Sequence, residues 1–116
     1  MASIDALNAY GAATAEGIQR CVGNEGLYLR MVNSVPGQKS FGELESALKA
    51  GDLDAAFEAA HALKGVLGNL SLTPMYELTS ELTELLRART EMDYGPLLEA
   101  FVREKERLFA AIAAEQ

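Results

Sequence analysis

Residues 51–70 read GDLDAAFEAAHALKGVLGNL, and the way this stretch coils decides the fold. Gly51 suits the left-handed residue that closes one helix, and Asp52 suits the N-cap of the next. Together they predict a helix running from Asp52 to about Leu70. On a helical wheel with His61 at zero, Leu70 falls at about 180°, Leu63 at about 200°, Ala56 at about 220° and Leu67 at about 240°. These apolar residues define the inward direction, so His61 points away from the core. Lys64, at about −60°, Gly65, at about +40°, and Gly68, at about −20°, share its side, with Phe57 and Glu58 flanking it one turn earlier.

Punctuation on both sides divides the rest of the chain into further helices. No segment sustains the two-residue alternation of a strand, so the class is all-α. Ser3 can cap a short helix carrying Ile4, Leu7 and Tyr10, and Ala15 to Val22 can form another before Gly23-Asn24. Asn24 caps a helix with Leu27, Tyr28, Met31, Val32 and Val35 on one side, stopped by Pro36-Gly37. Ser40 and Glu43 have capping-box spacing ahead of Leu44, Ala47 and Leu48. Thr73 is expected as the next cap with Pro74 at the first helical position, leading a stripe of Met75, Leu78, Leu82, Leu85 and Leu86. A last helix is expected from Asp93 or Tyr94, with Leu97, Leu98, Phe101, Leu108, Phe109 and Ile112 at helical spacing. Short connections imply antiparallel neighbours: a four-helix bundle with additional short N-terminal helices, one domain over residues 1–116.

Composition narrows the function. With 49% apolar and 23% charged residues, the 116-residue chain has an ordinary globular balance rather than a disordered one. A net charge of −7 opposes binding to nucleic acid or to an anionic membrane, because both require clustered Lys and Arg. The one cysteine, Cys21, cannot form an internal disulfide and reads as a small buried hydrophobe. No Cys and His cluster offers a metal site. The N-terminus has no basic region followed by an apolar run, and no stretch is long enough for a membrane span, so cytoplasmic residence is the expectation.

Two glycines inside one helix each cost about 0.8–1.0 kcal/mol relative to alanine. Their placement beside His61 is expected to clear space around the imidazole for something bulky. General acid–base catalysis wants a cleft and an orienting carboxylate, which a convex helix face does not supply. Nucleophilic attack on a phosphoryl group carried by another protein fits better. Neutral imidazole is nucleophilic near neutral pH, and a lysine one turn away can offset charge on the transferred oxygens.

At these residues the chain resembles a known family. AAHALKGVLGNLSLTPMYELTSELTELL is similar to the histidine-containing phosphotransfer (HPt) domain, whose motif is a His followed by an apolar residue, Lys and Gly; His61, Leu63, Lys64 and Gly65 match it. The likeness covers roughly Ala15 to Arg89, with GIQRCVGNEGLYLRMV resembling the family's opening segment, and reaches the last helix only by pattern. The resemblance implies that His61 accepts a phosphoryl group from an aspartyl phosphate on a response-regulator receiver domain, or returns it, as a phosphorelay step. Lys64 would stabilise the phosphoryl oxygens and Gly65 and Gly68 would permit close approach. Phe57, Glu58 and Leu72 would form the receiver-docking patch, with a core position as the other reading of Leu72. The resemblance implies no cofactor on this chain, the Mg²⁺ for transfer residing on the receiver. Its partners would be receivers and a hybrid sensor histidine kinase, and the chain itself a monomeric carrier that cannot phosphorylate itself. Two departures stand out: Ser71 replaces a frequent glycine, expected to tune the docking surface, and Pro36-Gly37 interrupts a frequently continuous helix. The competing reading is a helical interaction module on the same scaffold that binds receivers or other proteins without carrying phosphate. A small enzyme using His61 as general base has neither a positioned nucleophile nor a cleft to support it.

Overall fold

The computed structural model describes residues 2–114. They form helices α1 (Ile4–Tyr10), α2 (Thr14–Arg20), α3 (Glu25–Asn33), α4 (Ser40–Ala50), α5 (Leu53–Asn69), α6 (Thr73–Arg87) and α7 (Gly95–Ala113), with a 3-10 turn at Val35–Gly37. No strand occurs among the described residues. Helices α4 to α7 make the bundle. α5 packs along α4 on one side and α6 on the other, while α7 meets α6, α4 and α1. As α5 advances from Phe57 through Lys64 to Gly68, its partners on α6 recede from Arg87 through Glu84 to Tyr76, the order antiparallel neighbours require.

Local chemistry sets α5. Gly51 closes α4 at φ 72°, and the Asp52 carboxylate accepts from Ala55 N at 3.1 Å, satisfying one of the orphan amides of the first turn. The buried side is Ala56, Ala59, Ala60, Leu63 and Leu67. Its three alanines let the flanking helices approach closely, and its leucines, both fully buried, interdigitate with Leu44, Leu82, Leu86 and Phe101 in one core. Across the bundle, Phe41 stands edge-on to Phe109 with ring centroids 5.0 Å apart, and Lys105 Nζ meets Glu45 Oε2 at 2.6 Å.

Three expected helix starts shift by a residue or two, each for a stated reason. Ser40 is the first residue of α4 and not its cap; Lys39 is the N-cap, and its carbonyl accepts from Glu43 N at 3.0 Å. Thr73 likewise lies inside α6, behind Leu72 as N-cap. The orphan amide of Met75 is satisfied instead from α1, by the Tyr10 hydroxyl at 3.1 Å. α7 opens at Gly95 behind Tyr94, with Asp93 Oδ1 accepting from Gly95 N at 2.9 Å. On α6 the fully buried positions are Met75, Thr79, Leu82 and Thr83, with Leu86 almost so; Leu78 and Leu85 are only half-buried. Val35 leaves α3 for the 3-10 turn and stays in the core.

The segment before Gly37 is an arm wrapped on one end of the bundle. Arg107 stacks its guanidinium 4.5 Å over the Tyr10 ring and donates to Tyr10 O, fixing α1 to α7. α2 and α3 cover the α5–α6 corner. The Tyr28 hydroxyl donates to Leu70 O at 2.9 Å, and Ala13 N donates to Ser71 O at 2.9 Å. Burial, and secondarily the proximity of Cys21, pushes the Tyr28 phenol up to about 12, so it stays a neutral donor. Cys21 is buried, as expected. Ser71 sits at φ 53°, the left-handed conformation that glycine adopts most easily, and its hydroxyl donates to Glu16 Oε1 at 3.1 Å. It is buried and belongs to this corner, not to a docking surface as expected.

Candidate functional site

α5 holds His61 on its outer side, exposed, while Leu63 and Leu67 behind it are fully buried. The imidazole lies nearly parallel to the Phe57 ring, 17° apart in plane and 5.6 Å between centroids. Arg87 of α6 places its guanidinium 5.1 Å from the centroid of that phenyl ring. One turn after His61, Lys64 is half-buried, with Nζ 3.7 Å from Glu84 Oε2. Arg87 Nε lies 3.4 Å from Glu84 Oε1, so two cations share one exposed carboxylate.

The two glycines behave differently. A Cβ placed on Gly65 would meet open space, so this turn is bare backbone next to the imidazole, as expected. A Cβ on Gly68 would come within 2.9 Å of Tyr76 Cε1. Gly68 therefore makes room for the Tyr76 ring, not for a partner, and the expected open stretch beside His61 ends at Gly65. Arg20, from α2, closes this end by donating to Gly68 O at 2.5 Å. Arg20, His61, Lys64, Gly65 and Tyr76 together line a shallow depression of about 320 Å³.

Of the expected docking residues, Phe57 is half-buried and stacked on His61. Glu58 is exposed and lines the groove toward α4, on the other side of α5 from Lys64. Leu72 is fully buried, which corrects its assignment to the docking patch: it is core. Tyr76, Glu84, Arg87 and Arg20 were missed from the sequence. Tyr76 carried one signal, an aromatic set one residue off the α6 stripe; the other three are brought in only by tertiary packing.

Chemically, the face offers an accessible nucleophile with cations beside it. Among the described residues no carboxylate pairs with His61, and no group of three or more His, Cys, Asp or Glu could hold a metal ion. Gly65→Ala is expected to stabilise the fold by about 0.8–1.0 kcal/mol, because the methyl meets nothing and the helix gains propensity. The same methyl narrows the approach to His61, so reaction of the imidazole with a group presented by a bulky partner is expected to slow several-fold although the protein melts higher. Thermal denaturation and a transfer assay on the one variant check both halves.

The Hpt domain family model matches residues 37–114. The chain belongs to the Hpt domain family. Membership places it in phosphorelay phosphotransfer of two-component signalling, in a family of phosphocarriers rather than enzymes that interact with response-regulator receivers. The match includes all of α7, which the resemblance reached only by pattern, and begins at Gly37, so the arm of α1 to α3 lies outside it. No curated protein and no solved structure matches this Hpt chain. Among its described residues no helix is long and apolar enough to cross a membrane.

Proposed function

We propose that this Hpt domain carries a phosphoryl group on His61 in the cytoplasm, taking it from the aspartyl phosphate of a response-regulator receiver and passing it to another. What supports this reading most is the exposed imidazole at the motif position, between the Phe57 ring and the open backbone of Gly65. The neutral imidazole attacks phosphorus through the lone pair of Nε2 while Nδ1 keeps its proton. The N–P bond forms as the P–O bond to the aspartyl oxygen breaks, and that bond's electron pair leaves on the carboxylate. Lys64 is one helical turn away and only loosely held by Glu84, so its ammonium can turn to the phosphoryl oxygens. The Mg²⁺ that transfer needs is supplied by the receiver.

Receiver domains from the same genome, each charged with labelled phosphate on its aspartate, test this directly. The wild-type chain is expected to acquire acid-labile, base-stable label, and His61→Gln to acquire none while melting at an unchanged temperature. Label that survives the substitution places the acceptor elsewhere. Receivers that bind but deliver no label to the wild-type chain make the protein a docking module without phosphate chemistry.

A further inference from the structure

We propose that Arg20 is a partner-selecting residue: it meets the receiver at the rim of the footprint centred on His61. The inference rests on the reading of His61 as phosphoacceptor, and it concerns a residue outside the matched span 37–114. α2 delivers Arg20 to the phosphotransfer face through two fixed bonds, Nη1 to Gly68 O at 2.5 Å and Nη2 to Glu16 Oε1 at 2.8 Å. Glu16 is itself held by the Ser71 hydroxyl. The guanidinium is thus oriented before any partner arrives. Its side chain remains 49% exposed, with most of its donors unused.

Two magnitudes place it under the partner. A stable interface covers about 800 Å² on each side, a disc of about 16 Å radius. Gly68, which anchors Arg20, follows His61 by two helical turns, about 10 Å along α5. A protein that docks squarely on His61 therefore covers Arg20, near the edge of contact. Charge says what it does there. The aspartyl phosphate that must approach is an anion, and the chain's net charge of −7 opposes its approach. Arg20, Lys64 and Arg87 flank His61 against that background, and rim charges act chiefly on the rate of encounter and the choice of partner. Because the bundle's motif does not include Arg20, the arm can differ in charge without touching the phosphoacceptor.

Arg20→Gln is the informative substitution, since it loses the charge and leaves a polar, uncharged amide in its place. Transfer from the receiver that serves the wild-type chain best is expected to slow about 3- to 10-fold at low ionic strength, with the difference shrinking as salt screens the rim. Arg20→Lys is expected to recover most of the rate. Labelling of His61 by phosphoramidate, which needs no docking, is expected to be unchanged, as is the melting temperature. Equal receiver transfer by Arg20→Gln and wild type at every salt concentration overturns the assignment. So does a loss that appears equally with phosphoramidate or follows a fall in stability, either of which makes Arg20 a structural cap. A wild-type chain that takes phosphate from no receiver fails the reading of His61 itself, a result distinct from either.

Discussion

With His61 as the proposed phosphoacceptor, Lys64→Ala is expected to slow phosphotransfer by about 100-fold while costing the fold less than about 1 kcal/mol. Phosphoryl transfer depends largely on positioning and on charge aimed at the transferred oxygens, so losing the cation one turn from the nucleophile removes a contribution few other groups can supply. Arg87 does not replace it, because its guanidinium is engaged over Phe57 and with Glu84. The small stability cost follows from the ion pair, which spans 3.7 Å to a Glu84 side chain that is 57% exposed. A pair this long, with one partner mostly in solvent, is worth little once screening is counted. Rapid-quench transfer from a charged receiver and urea denaturation of the same sample separate the two effects. A loss of stability above about 2 kcal/mol, with transfer falling only in proportion to the folded fraction, would make Lys64 a structural residue.

Gly17→Ala is expected to cost about 3 kcal/mol, the upper range for overpacking a filled core. The added Cβ would lie 2.3 Å from Tyr28 Cε1 and 2.9 Å from the backbone oxygen of Leu70. Neither can yield cheaply. Tyr28 is fully buried with its hydroxyl committed to Leu70 O, and the second obstacle is main chain. The roughly 1 kcal/mol that alanine returns in helix propensity does not offset this. Relief requires α2 to lift from the α5–α6 corner, taking with it the Ser71–Glu16 and Arg20–Gly68 bonds. Urea denaturation measures the loss. A variant as stable as wild type would show that α2 does not sit this close to the corner.

The phase of α5 was legible because it is set by nearest-neighbour rules: a left-handed Gly51, an Asp52 cap and apolar residues at helical spacing up to Leu67. His61 outward and Leu63 inward follow from that geometry alone. What the sequence hid was contributed by remote partners. Thr73 looked like a cap because the Tyr10 hydroxyl that does part of that work lies 65 residues away in the chain. Gly68 looked open because a wheel gives a direction and not what the next helix puts there, in this case Tyr76. Leu72 falls in the turn between α5 and α6, where helical phase ceases to apply, and it is buried at their junction. Arg20 carries no local signal at all, since its relation to His61 exists only once the arm has folded onto the bundle.

The chain contains a single histidine, and its ring runs nearly parallel to a phenyl ring 5.6 Å away. Magnetically, that arrangement exposes the imidazole protons to the ring current of Phe57, so their shifts depend on how the two rings are set. The molecule thus brings its own spectroscopic reporter, one pair of carbon-bound imidazole resonances requiring no assignment. Chemistry at the ring nitrogens, or a partner that tilts the stack, would register there directly.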